Sequence, residues 1–151
     1  MKGIFLTILL SFTLAILTEV QAQSRPGDFE VGFVVGEPTG ISLKYWQTDL
    51  TAFDGVLAWS FGRHESLHIH GSYLKHSPLE VEDELFSLYY GIGGRAIFAE
   101  DAVIGVRIPV GLQYIIAPAR LSIFFEVAPT FNLVPATEFG VDGGVGVRYF
   151  F

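Results

Sequence analysis

Gly143-Gly144-Val145-Gly146-Val147-Arg148-Tyr149-Phe150-Phe151 closes the chain, and the reading of this stretch decides the fold. Side chains alternate sides along an extended strand. Val145, Val147, Tyr149 and Phe151 therefore share one face, while Gly144, Gly146 and Arg148 share the other. The last residue is an aromatic, whereas the ends of water-soluble domains are usually polar and frayed. A strand of this kind needs an apolar surrounding on one side and a crowded, partly charged one on the other.

The same two-faced pattern recurs upstream. Eight segments alternate: Asp28 to Gly36, Ile41 to Trp46, Ala52 to Phe61, Leu67 to Leu74, Phe86 to Phe98, Ala102 to Tyr114, Leu121 to Phe131 and Glu138 to Phe151. No period of 3.6 is sustained between them, so the region reads as all-β. Transmembrane strands need roughly 9–11 residues, and eight of them use about 80, leaving short connections. Two features strain the pattern. Pro109 and Pro129 fall inside segments six and seven, where a proline removes a ladder hydrogen bond and belongs at a bulge or rim. The stretch His76 to Glu84, with Pro78 and acidic Glu80, Glu82, Asp83 and Glu84, reads as a solvated loop. It follows an even strand, on the side where barrel connections are short. A strand count off by one hairpin therefore stays open.

The N-terminus carries Lys2, an apolar stretch from Ile4 to Leu17, and the small-residue site Val20-Gln21-Ala22. This is the form of a secretory signal peptide, so residues 1–22 are expected to be removed and residues 23–151 to form one barrel domain. The apolar stretch is shorter than the roughly 20 residues of a spanning helix. Cleavage takes Lys2 and Glu19 from the 9 basic and 16 acidic residues, which leaves the net charge at −7. Such a chain lacks the clustered cations that nucleic-acid binding needs. It has no cysteine, so no disulfide braces it.

Alternation alone does not separate a membrane barrel from a soluble ligand-binding barrel, which is apolar inside. The composition of the less apolar face does. A water-facing sheet surface is dense in charged side chains. Here that face is mostly glycine: Gly32, Gly36, Gly91, Gly93, Gly105, Gly111, Gly140, Gly144 and Gly146. Between the glycines stand Glu30, Asp54, Glu126 and Asp142 against Lys44, Arg95, Arg107 and Arg148. Four acids against four bases among small neighbours suit the narrow bore of an eight-stranded barrel, where each buried charge needs a partner. The Val, Ile, Leu and Phe face then meets lipid, with Trp46, Trp59, Tyr45, Tyr73 and Tyr114 as interfacial anchors. The expected fold is a closed antiparallel up-and-down transmembrane β-barrel of about eight strands.

Several stretches carry a family likeness. They are Gly36-Glu37-Pro38-Thr39-Gly40-Ile41-Ser42-Leu43-Lys44-Tyr45-Trp46, Leu67-His68-Ile69-His70-Gly71-Ser72-Tyr73-Leu74 and Tyr89-Tyr90-Gly91-Ile92-Gly93-Gly94-Arg95. Arg107-Ile108-Pro109-Val110-Gly111 and Phe124-Phe125-Glu126-Val127-Ala128-Pro129 continue the series. Together they resemble an uncharacterised family of small bacterial outer-membrane proteins, similar in architecture to the transmembrane domain of OmpA. The terminal stretch is similar to the closing strand of such barrels. The resemblance implies a fold and a location in the outer membrane of a Gram-negative bacterium, with no chemistry attached. Its partners would be outer-membrane lipid and, through Val147, Tyr149 and Phe151 of the last strand, the barrel-assembly machinery.

Other chemistry is weaker. His68 and His70 share one strand face at i, i+2, and with Glu126 or Asp54 they offer a divalent-metal set. His70 and Ser72 with Glu126 have the elements of a Ser-His-acid hydrolase acting on lipid. The glycine-rich stretches Gly91 to Gly94 and Gly143 to Gly146 precede no helix, so they are not phosphate cradles. The expectation is a non-enzymatic barrel with no cofactor and no metal, in a structural or surface-interaction role. The lipid-modifying hydrolase and the soluble periplasmic barrel are the alternatives.

Overall fold

A computed structural model describes residues 27–60, 65–81 and 84–151. The signal peptide expected at residues 1–22 lies outside them. Nine strands form one antiparallel wall: β1 (Phe29–Glu37), β2 (Gly40–Trp46), β3 (Thr51–Ser60), β4 (Ser66–Val81), β5 (Glu84–Phe98), β6 (Ala102–Arg107), β7 (Val110–Ile116), β8 (Leu121–Val134) and β9 (Glu138–Phe150). A single 3₁₀ turn, Ala117–Ala119, joins β7 to β8. Each strand pairs with the next, save that β6 and β7 both pair with β5 and β8, and β9 pairs back onto β1, Val31 opposite Tyr149. The sheet is closed.

Strands β6 and β7 are two halves of one wall strand. Both lie between β5 and β8, and they are separated by Ile108-Pro109. Pro109 has no N–H to give β5, and Pro129 of β8 has none to give β6. The wall holds there through the bonds that remain: Gly91 N–H donates to the Pro109 carbonyl at 3.0 Å, and Ile108 N–H donates to that of Pro129 at 2.9 Å. The ring is therefore eight-stranded, with the sixth strand broken where sequence puts a proline in it.

The register fixes the tilt. A level path leads from Val31 through Leu43, Gly55, Gly71, Gly94, Val106 and Phe131 to Phe139. Val31 itself pairs with Tyr149, ten residues further along β9. A stagger of ten over eight strands tilts them by roughly 40°, inside the usual range for closed barrels. Ten residues at that tilt rise roughly 25 Å, the height of the apolar band of such barrels.

His76 to Val81 and Glu84, read from the sequence as loop, are strand. β4 continues through Val81 and β5 resumes at Glu84, with Pro78 opposite Ser87 and Leu79 opposite Phe86. Acidic residues and a proline suggested solvent there; pairing with β5 keeps the backbone extended regardless. The hairpin projects beyond β3 at the end of the barrel where β1 begins and β9 ends. With β4 and β5 extended this far, the apparent conflict over strand number disappears. At the opposite end, which we call the mouth, the connections at 38–39, 61–65, 99–101 and 135–137 are also short.

The two faces separate cleanly. Phe33 (69 % exposed), Val35, Ile92, Ile104, Phe125, Phe139 (70 %), Val145 and Val147 point out of the barrel. Glu30, Lys44, Asp54, Arg107, Glu126 and Arg148 point in and are buried. Neighbouring outward aromatics pair across strands, Phe29 with Tyr45 at 5.3 Å and Phe53 with Tyr73 at 5.1 Å between ring centroids. Glycine on the inner face gives room. A Cβ on Gly32 would be driven into the Val147 carbonyl oxygen, and the Phe124 ring lies against Gly146 where a side chain would otherwise stand.

Candidate functional site

The bore is the part of the molecule where polar chemistry gathers, and it is layered. Lowest, near the termini, the Glu30 carboxylate accepts from Trp46 Nε1 at 2.6 Å, from Ser122 Oγ at 2.6 Å and from Gln113 Nε2 at 3.2 Å. Gln113 also faces the other way: its Oε1 accepts from Lys44 Nζ at 2.6 Å. One amide thus links the acid and the base, which do not touch directly. Lys44 Nζ also bonds His76 Nε2 at 2.8 Å and lies over the Trp46 and Tyr89 rings at 4.5 and 5.1 Å. Trp46, Leu74, Tyr89, Gln113 and Ser122 are buried around them.

The middle layer holds two more pairs. Arg107 Nη2 donates to Glu126 Oε1 at 2.7 Å and its Nη1 to Ser72 Oγ at 3.0 Å. Tyr89 Oη donates to the other Glu126 oxygen at 2.9 Å. Arg148 stacks on the Phe124 ring at 3.7 Å, donates from Nε to Ser42 Oγ at 2.8 Å, and stands 3.8 Å from Asp54 Oδ2. Toward the mouth, Arg95 Nη1 binds both oxygens of Asp142 at 2.9 Å, and Nε and Nη2 bind Asn132 Oδ1. The eight charges read from sequence thus come together as three ion pairs and one amide-bridged couple. A charge stripped of water costs several kcal/mol unless a partner is provided. Here each of the four bases has an acid beside it or one amide away.

Trp46 corrects the sequence reading. It is not an interfacial anchor but lies inside the bore, 2 % exposed, with its N–H on Glu30. Trp59 does face outward, at 44 %. The difference is parity: Trp46 is two residues from Lys44 and must share its face. That spacing was available in the sequence, as was the inward position of His76, two beyond Leu74.

His68, His70 and Ser72 all face inward. Among the described residues no group of three or more His, Asp or Glu is disposed to hold a metal ion. Ser72 Oγ accepts from Arg107, while His70 Nδ1 has no partner, so no Ser–His hydrogen bond primes a nucleophile. Both lie on the inner side of β4. On the outside, Val147, Tyr149 and Phe151 form a row on the last strand, with the Tyr149 and Phe151 rings edge to face at 5.2 Å.

Above the middle layer the bore holds a small pocket. Val34, Val56, His70, Glu37 and Asp142 form its sides, and Asp54, Arg107 and Arg148 its floor.

No family model and no curated protein matches the chain. Solved structures do. The N-terminal β-barrel domain of Pseudomonas aeruginosa OprF superposes with a TM-score of 0.63 at 12 % identity, over 85 % of this chain and 100 % of that one. Ail, the attachment invasion locus protein of Yersinia pestis, aligns with a TM-score of 0.41 at 13 % identity, over 83 % and 99 %. The OprF likeness shows the same fold, a closed β-barrel.

Proposed function

We propose that this chain is a small integral protein of the Gram-negative outer membrane, with a plugged bore and a structural rather than enzymatic role. The observation that carries the reading is orientation. Thirty or so ångströms of hydrocarbon admit a sheet only if it closes and turns apolar side chains outward, and both conditions are met here. A soluble ligand-binding barrel would need the opposite arrangement. In this reading the outward face contacts outer-membrane lipid, residues 1–22 direct export and are removed, and Val147, Tyr149 and Phe151 present the last strand to the barrel-assembly machinery. Contacts with other molecules outside the cell fall to the short turns at the mouth.

Two measurements test this. Cell fractionation should find the protein in the outer membrane, migrating differently on a denaturing gel before and after boiling. Planar-bilayer recording should detect no large, stable channel, because Glu30, Lys44, Trp46 and Gln113 close the bore. Recovery from the periplasm without detergent would refute the location, and a wide steady pore would refute the plug.

A further inference from the structure

Strand β6 is held firmly on one side only. Toward β5 all 6 of its residues are paired, from Ala102 with Phe98 to Arg107 with Gly93. Toward β8 only Ile104, Gly105, Val106 and Arg107 have partners, and the register slips between Ile104 and Gly105, where β8 carries Leu133 as an extra residue. A bulge of this kind disrupts the ladder locally. The next bond down, from Ile108 N–H to the Pro129 carbonyl, is not returned, because Pro129 has no N–H. The seam is thus unpaired at the mouth, slipped just below it and short of a donor at its lower end. Pro109 follows directly, between β6 and β7.

A clamp crosses the inner side of this seam. Arg95 stands on β5 opposite Gly105, yet its guanidinium bonds Asn132 on β8 and both carboxylate oxygens of Asp142 on β9. The side chain therefore reaches past β6 altogether. Gly105 leaves it room: a Cβ there would stand 2.9 Å from Asn132 Oδ1. A guanidinium gripping a carboxylate through two oxygens is among the stronger side-chain contacts. On the outside both lips are apolar, with Ile104 on β6 and Phe131 and Leu133 on β8 all exposed.

We propose that the β6–β8 seam is a side gate of the barrel: β6 stays on β5, parts from β8 about Pro109, and is held shut by the Arg95 clamp on Asn132 and Asp142. Open, it joins the pocket that Asp142 lines to the surroundings of the apolar face. The gate depends neither on the plug nor on the membrane location, so it is tested on purified protein in detergent micelles.

Amide hydrogen exchange separates the two sides of β6 within one strand. Hydrogen bonds alternate sides along an antiparallel strand. Ile108 N–H turns to β8 and the Pro109 carbonyl to Gly91 on β5, so the amides of Val106 and Ile108 report the seam, and those of Gly105 and Arg107 the β5 side. Relative to intrinsic rates, residue-resolved exchange should be at least about tenfold faster for the seam pair, since exchange follows local opening. Arg95→Gln, shown to be folded by its gel shift, should speed the seam pair by about a further tenfold and leave Gly105 and Arg107 unchanged. Pro129→Ala returns an N–H to the Ile108 carbonyl and should slow the seam pair. Four amides exchanging alike in the parent, an Arg95→Gln effect equal on both sides, or a seam pair unchanged by Pro129→Ala would each overturn the gate.

Discussion

Replacing Arg107 by methionine tests whether the ion pairs hold the bore together. Arg107 is 2 % exposed and its Nη2 lies 2.7 Å from Glu126 Oε1. At an effective dielectric constant near 20 the Coulomb attraction at that distance is roughly 6 kcal/mol. Much of it offsets the cost of taking both groups out of water, so the pair itself contributes little net stability. Removing one partner is different, because Glu126 keeps its charge with only the Tyr89 hydroxyl to solvate it. Breaking a buried pair in this way costs about 3–5 kcal/mol. That is two to four powers of ten in the folded-to-unfolded ratio. Arg107→Met/Glu126→Gln removes both charges and leaves an amide oxygen for Tyr89, so it should recover at least half of the loss. Urea unfolding in lipid vesicles, followed by the gel shift, measures all three proteins. A single variant within about 1 kcal/mol of the parent, or a double variant no better than the single, would refute the pairing argument.

Four further outcomes follow from the same geometry. Gly32→Ala should destabilise by about 3 kcal/mol or block folding, since its methyl has no room against the β9 backbone, whereas Gly71→Ala, with a free Cβ position, should be mild in the same assay. Ile92→Arg, on the outer face in the middle of the wall, should cost roughly 2–4 kcal/mol of vesicle stability, and a cost near zero would argue against lipid contact. Brominated lipid should quench Trp59 in a Trp46→Phe variant and spare Trp46 in a Trp59→Phe variant; the reverse would mean the two rings are misplaced. Deleting Phe151 should lower the amount of folded barrel in cells while leaving refolding in detergent intact, and unchanged cellular levels would argue against its role in assembly.

The sequence carried the alternation, and alternation carried most of the fold. The glycine stripe told inside from outside because a bore that narrow tolerates arginine only beside residues without side chains, as Gly144 and Gly146 flank the face of Arg148. Two things were not legible. Local polarity at 76–84 pointed to solvent, but cross-strand pairing of Pro78 with Ser87 and Leu79 with Phe86 is a long-range fact that no local composition reports. The identity of ionic partners was equally hidden. Arg95 meets Asp142 across 47 residues, and Gln113 meets Glu30 across 83. Such partnerships depend on the stagger accumulated around the ring, which only the register reveals. Trp46 was a different kind of miss: its parity placed it inside, and the general habit of tryptophan at membrane interfaces overrode that.

Orientation of the two faces is tested most directly by nitroxide labels on single cysteines at Ile123, Phe125 and Val127, exposed outward positions of β8. In lipid vesicles, collision with oxygen, which concentrates in hydrocarbon, should be frequent at all three. Collision with a water-soluble nickel chelate should be rare. High nickel and low oxygen accessibility at these sites would place the apolar stripe against water or the axis and contradict the account.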